Sequence, residues 1–272
     1  MQQFSSSPRE MFAGLLRNRN LIKALIKREV VGRYRGSILG LLWSFFNPLF
    51  MLVIYTFVFS VIFKARWNVG SDSKTEFALV LFAGLIVFNL FADCLNRAPL
   101  QILANVNYVK KVIFPLEILP LVAMGSALFH ALVSLGVWLV FYFIFFGVPP
   151  VSALLLPVVV VPVIFFTMGF SWMLASLGVF LRDVAQVIGV VTTVLMFLSP
   201  IFYPLSALPA KYRPVLFLNP LTLAIEHVRN VLIWGKTPDL WVFSIYLAVS
   251  AFLAWLGFAW FQKTRKGFAD VL

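Results

Sequence analysis

Charged positions fall so unevenly along this chain that they mark out its elements. None occurs from Gly36 to Phe63, a run of 28 residues, and a helix crossing a bilayer needs about 20 apolar residues. A second run, Phe77 to Ala92, extends past Asp93 to Asn96. Glu117 and Arg182 enclose 64 uncharged residues. That is too many for one helix, and Gly147-Val148-Pro149-Pro150 breaks them near the middle as a turn. Val184 to Tyr203, closed by Pro200 and Pro204, gives a fifth span, and Leu240 to Gln262 a sixth. The pattern predicts an all-α integral membrane protein with six transmembrane helices. An even number of crossings puts both termini on one side.

Three segments depart from this rhythm. Residues 1–35 form a unit ahead of the six-helix domain, residues 36–272. Within it, Met11 to Val31 spaces Phe12, Leu15, Leu16, Leu21, Ile22, Leu25 and Ile26 at helical intervals, with Arg17, Lys23, Lys27 and Arg28 on the charged side. Followed by Arg33 and Arg35, this predicts an amphipathic helix in the headgroup plane of an anionic membrane, or a simple topology anchor. The apolar stretch beyond it is far longer than the core of a signal peptide, and no small-residue cleavage pattern ends it. Between the fifth and sixth spans, residues 205–238 hold only 12 apolar residues in a row, Pro214 to Ile225, broken by Asn219-Pro220. That length predicts a re-entrant hairpin. The segment 99–115 between the second and third spans is long enough for a short helix across the membrane face, either a docking surface for a cytosolic partner or a passive loop.

Composition sharpens the class. Hydrophobic residues make up 62% of the chain and charged residues 12%, against about a quarter charged in an ordinary globular protein. A water-soluble fold is excluded. The net charge of +12 would suggest nucleic acid for a soluble protein, but these bases sit at the edges of apolar runs, where the bilayer interface accounts for them. Nucleic acid is not expected as a partner. Fifteen of the 22 Lys and Arg residues lie on the side that holds the termini, which places both termini in the cytoplasm. One cysteine, Cys94, and two histidines, His130 and His227, exclude an intramolecular disulfide and a three-residue Cys/His zinc site.

Local motifs carry no catalytic constellation. Gly235-Lys236-Thr237 looks like the end of a phosphate-binding loop, but Asn230 stands where that loop needs glycine, so ATP-driven work requires a separate subunit. Asp93 and Arg97, four apart, predict a local ion pair at the edge of the second span. Glu226 and Arg229 predict another. Glu117, Asp183 and His130 are scattered singly. Gly32, Gly36 and Gly40 recur at every fourth position, which predicts one small-residue helix face. Ser44, Asn47, Met51, Tyr55 and Phe59 share a face of the first span, and Thr192, Met196, Ser199 and Tyr203 one of the fifth. Polar groups at this depth turn away from lipid, toward other helices as packing or toward a wet path.

Several stretches together resemble a known family. They are Arg33-Tyr34-Arg35-Gly36-Ser37-Ile38-Leu39-Gly40-Leu41-Leu42-Trp43, then Asn47-Pro48-Leu49, then Asn107-Tyr108-Val109-Lys110-Lys111-Val112-Ile113-Phe114-Pro115. Arg182-Asp183, Leu198-Ser199-Pro200-Ile201-Phe202-Tyr203-Pro204 and Asn219-Pro220 follow. In this order on a six-span plan they resemble the permease subunit of ATP-binding-cassette exporters of bacterial surface polysaccharide, O-antigen, capsule and teichoic acid. The resemblance implies a homodimer in the bacterial inner membrane with two copies of a separate ATPase, which binds the ATP and Mg²⁺, and no cofactor in this chain. The cargo implied is a polyprenyl-diphosphate-linked glycan. Asn105, Asn107, Tyr108, Lys110, Lys111 and Phe114 map onto the family's ATPase-coupling loop, with Arg182 and Asp183 as a secondary contact. The first and fifth spans would line the channel, and the hairpin would form its outer gate.

Two other classes compete. A membrane enzyme acting on a lipid-linked sugar would gather carboxylates or a metal at the membrane surface, and here the acids are scattered. An ion-coupled transporter would carry buried ionisable groups at mid-membrane and often two similar halves. His130 is the one strong candidate within a span.

Overall fold

The computed structural model describes residues 6–58, 74–109, 114–209 and 211–272, and the regular structure among them is helical. Two short helices come first, α1 (Pro8–Arg17) and α2 (Arg19–Arg33). The single amphipathic helix expected over Met11 to Val31 is broken at Asn18, whose amide donates to the Gly14 carbonyl at 2.9 Å. Such a side chain competes with the backbone ladder. Ile22 and Leu25 of α2 are buried against Ile118 and Val122, while Phe12, Leu16 and Leu21 remain exposed. This unit therefore packs partly on the protein itself.

The small-residue face is also overturned. The backbone turns at Gly36 (φ +89°) and Gly40 (φ +50°), a region that favours glycine, so Gly32, Gly36 and Gly40 do not share a helix face. A 3-10 turn at Gly40–Leu42 then leads into α3 (Trp43–Tyr55).

At the centre lies α4 (Lys74–Gln101), with Val80, Leu81, Ala83 and Ala98 fully buried. It runs past the expected end at Asn96, and Pro99 falls inside its last turn. A helix buried over most of its circumference belongs in the interior of a bundle, and α4 is packed by α6 (Ile118–Phe146), α7 (Leu156–Phe180), α8 (Val184–Leu198) and α10 (Pro220–Leu232). A 3-10 turn at Leu103–Asn105 and the short α5 (Val106–Val109) follow α4. The break between α6 and α7 falls at Gly147 (φ +82°), as the Gly-Pro cluster predicts.

Indole nitrogens tie the layers together. Trp138 donates to the Leu79 carbonyl at 2.9 Å, and Trp172 to the Glu117 carbonyl at 3.0 Å. The pair of α7 and α11 (Leu240–Thr264) crosses through Gly169 and Gly257, where a Cβ on Gly257 would overlap the Gly169 carbonyl. Asp239 caps α11 by accepting from the Trp241 and Val242 amides. Between α8 and α10 sit a 3-10 turn, Leu205–Ala207, and the four-residue α9 (Arg213–Leu216). The chain closes with α12 (Phe268–Val271).

Among the described residues, five helical segments are long and apolar enough to cross a membrane, Gly40–Val58, Thr75–Gln101, Ile118–Phe146, Val151–Phe180 and Leu240–Val271. The fifth expected span is shorter than its uncharged run. α8 has 15 residues, and at Ser199 the chain turns extended, because the residue before a proline is driven out of the helical region.

Candidate functional site

A cleft of about 410 Å³ opens between α2, α3, α4 and α6. The polar stripe of the first span reaches it in part. Ser44, Asn47 and Met51 line the wall, and Tyr55 instead packs on the core. Phe59 lies outside the described residues. Facing α3 are Asn89 and Asp93 of α4 and His130 and Ser134 of α6. Each pair is four apart, so each presents one helix face. Asn89 is exposed on a helix whose neighbouring positions are mostly buried. Among the described residues, His130 Nε2 is buried without a hydrogen-bond partner. The Tyr34 ring meets the His130 imidazole edge-on at 5.8 Å, and burial raises the Tyr34 phenol above its ordinary pKa against the pull of Arg33.

The expected Asp93–Arg97 pair is present at 3.2 Å and belongs to a larger network. Arg33 Nη2 donates to Asp93 at 3.2 Å, and Arg97 pairs with Glu29 of α2. Two guanidinium groups and two carboxylates thus close one edge of the cleft with balanced charge. The remaining bases assigned to the headgroup zone divide into two sets. Lys23, Lys27 and Arg35 are exposed. Arg17 pairs with Glu10 at 2.6 Å, and Arg28 donates to the Tyr108 hydroxyl at 2.9 Å.

On the fifth span Thr192 and Ser199 face inward. Thr192 is buried and donates to Asn96 Oδ1 at 2.9 Å, with the Ile188 carbonyl also in reach at 3.0 Å. The Ser199 hydroxyl donates to the Leu195 carbonyl at 2.6 Å and accepts from Asn219 at 2.9 Å. Tyr203 reaches back to the Leu198 carbonyl at 3.2 Å, and Met196 is half-buried. α3 packs on α6 and α4, and α8 on α4 and α7, so among the described residues the two polar stripes face different neighbours.

The described residues of the segment 99–115 are held by contacts with other helices. Tyr108 stacks on Phe114 with ring centroids 4.2 Å apart. Asn105 donates to the Gln101 carbonyl at 2.8 Å, and Asn107 is exposed. Arg265, at the end of α11, donates to the Phe114 carbonyl at 2.8 Å and pairs with Glu117 at 2.6 Å. Lys110 and Lys111 lie outside the described residues. Arg182 and Asp183 are exposed in the turn between α7 and α8.

Arg229 exceeds the local pair expected for it. Its guanidinium is fully buried and donates to the carbonyls of Val80 at 3.0 Å, Pro200 at 2.5 Å and Ile201 at 2.9 Å, besides Glu226 at 3.3 Å. It ties the amphipathic α10 to α4 and to the end of α8. No phosphate-binding loop forms at Gly235-Lys236-Thr237, where the Lys236 amide simply donates to the Asn230 carbonyl at 2.9 Å.

Known proteins share this all-helical bundle of long apolar helices in sequence as well. The family model described as ABC-2 type transporter matches residues 20–233. The chain belongs to the ABC-2 type transporter family. As an ABC-2 permease it is a membrane transport subunit without an ATPase domain, of a kind that pairs with ATPase subunits. It is 29% identical over 258 residues to the O-antigen export system permease protein RfbA of Myxococcus xanthus, covering 94% of this chain and 96% of that protein. Over 254 residues it is 26% identical to the protein of the same name from Klebsiella pneumoniae, covering 93% and 95%. The polysialic acid transport protein KpsM of Escherichia coli is 25% identical over 223 residues, covering 79% of this chain and 81% of that one.

Proposed function

We propose that this ABC-2 permease exports a polyprenyl-diphosphate-linked surface polysaccharide of the O-antigen type across the bacterial inner membrane. The observation that carries the reading is similarity over almost the whole length to two permeases of O-antigen export. Two copies of the permease work with two copies of the ATPase. The six-crossing plan counts α8 with the extended Ser199 to Tyr203 as a short span, residues 205–238 as the re-entrant hairpin at the outer face, and both termini as cytoplasmic. The excess of bases on the terminal side supports this orientation. The braced Tyr108–Phe114 stack supports the coupling role of its segment, because force from an ATPase passes only through a surface that is itself held. The path for the glycan runs between α3 of one copy and α8 of the other.

Reconstitution with a partner ATPase subunit tests the reading. Inverted vesicles are expected to take up a lipid-linked glycan only with ATP and both subunits present, and the permease alone is expected to hydrolyse no ATP. Uptake without the ATPase, or ATP-driven movement of ions with no glycan moved, would overturn it.

A further inference from the structure

Beside the polar cleft lies a second chamber of about 290 Å³ between α4, α6, α7 and α10. Its lining is apolar, including Ala83, Val87, Leu128, Leu135, Val160 and Val228. Ile86, Leu90 and Ala131 belong to both walls. We propose that cleft and chamber form one bipartite site within a single protomer for a lipid-linked sugar, with the sugar-phosphate head in the cleft and the first part of the hydrocarbon chain in the chamber. This rests on the substrate class proposed above and locates where that substrate is first held.

Position supports the pairing. On α4 the cleft runs from Phe82 to Asp93 and the chamber from Ala83 to Leu90, and on α6 they run from Ala127 to Ser134 and from Leu128 to Leu135. The two cavities therefore lie side by side, polar space against apolar space across Ile86, Leu90 and Ala131, so a lipid-linked head in one sets its chain against the other. Either volume falls in or near the range of about 300–1,000 Å³ common for ligand pockets.

The cleft favours a sugar head over an ordinary phospholipid. Its walls offer the amides of Asn47 and Asn89, the Ser134 hydroxyl, the Asp93 carboxylate and the unpartnered His130 Nε2, a mixed set of donors and acceptors that hydroxyl groups satisfy. Tyr34 adds an aromatic edge. A bare phosphate would call for surplus cations, and here Arg33 and Arg97 are balanced by Asp93 and Glu29. Arg33 is nevertheless half-exposed on its 3.2 Å pair, so it can turn to the diphosphate that joins sugar to lipid.

The test uses the permease–ATPase complex in lipid nanodiscs and three photoreactive probes, each with a diazirine in its chain: farnesyl diphosphate bearing one hexose, farnesyl diphosphate alone, and phosphatidylglycerol. The hexosyl probe is expected to label Leu135 and Val160, and to do so better than the other two. Asn89→Leu should weaken its labelling by about tenfold, the loss of a hydrogen-bonded anchor, and change that of farnesyl diphosphate less than about twofold. Ala131→Phe or Leu135→Phe, which fill the chamber, should weaken labelling by both farnesyl probes, read in whichever variant still co-purifies with the ATPase. Equal labelling by phosphatidylglycerol would assign the cavities to membrane lipid, and labelling confined to other helices would remove the site. Glycan uptake by the unmodified complex, measured in parallel, separates the two readings. Uptake with no labelling here sinks the bipartite site alone, and no uptake sinks the export function.

Discussion

Arg229 shows how much energy can rest on one side chain that sequence leaves inconspicuous. Three backbone carbonyls, of Val80, Pro200 and Ile201, depend on its guanidinium. A buried acceptor left without a donor costs about 1–3 kcal/mol. Arg229→Met keeps the length and loses every donor, and we expect a loss of about 3 kcal/mol or more from the permease, since breaking a buried charged pair is of that order. Arg229→Lys, with one ammonium for divergent carbonyls, should fall between. Thermal unfolding in detergent reads both, and a midpoint unchanged in Arg229→Met would show that α10 is held by its apolar face alone. Gly84 belongs to the same account, because a Cβ there would come within 2.8 Å of Arg229 Nη2. Neither residue carries a sequence signal beyond the Glu226–Arg229 spacing, since the partners are backbone atoms 149 and 28 positions away.

Among the elements, the long apolar runs were legible because the cost of a charge in hydrocarbon writes itself into composition. The ends were not. α8 stops at a proline, α4 runs on through Pro99 and the N-terminal helix breaks at Asn18, each a local backbone effect inside an unchanged hydropathy pattern. The cleft was half legible. Asn47 stood out on its stripe, whereas Asn89 and Ser134 acquire meaning only when α4 and α6 bring them opposite Asp93 and His130. Close crossings are hidden in the same way. Gly257 looks interchangeable with any small residue, yet it sits against the backbone of Gly169. Without a strong hydrophobic drive between helices in lipid, such contact carries much of their association. Gly257→Leu is expected to separate α7 from α11 and lower stability by about 1–3 kcal/mol or more, whereas Ala251→Leu on the same helix should be tolerated, being less enclosed. Similar unfolding midpoints for the two variants would sink this account of the crossing.

On the proposed two-copy reading, the exposed apolar surface of the whole molecule divides between lipid and a second copy. Phe50 and Val53 of α3, Val190 and Phe197 of α8 and Trp241 and Phe252 of α11 are all exposed, and apolarity alone does not sort them. The polar residues do. Asn47 is exposed at the cleft, whereas Thr192 and Ser199 bond within the chain itself. If α3 and α8 of paired copies enclose the glycan, its hydroxyl groups meet Asn47 and Tyr203 directly, and Thr192 contributes by fixing α8 to Asn96. Two outcomes then separate lining from packing. Asn47→Cys and Tyr203→Cys should cross-link a glycan trapped during export, and Phe252→Cys on α11 should not. Thr192→Val should lower stability by about 1 kcal/mol, the worth of one hydrogen bond, while glycan contact at Tyr203 persists. Native Cys94 is buried and leaves the reagent free for the introduced thiols. Cross-linking as strong at Phe252 as at Asn47 would move the path away from the α3–α8 seam. A polymer that slides needs contacts that are many and individually weak, since one tight site would halt it, and a seam of single amides and aromatic rings meets that condition where a closed pocket would not.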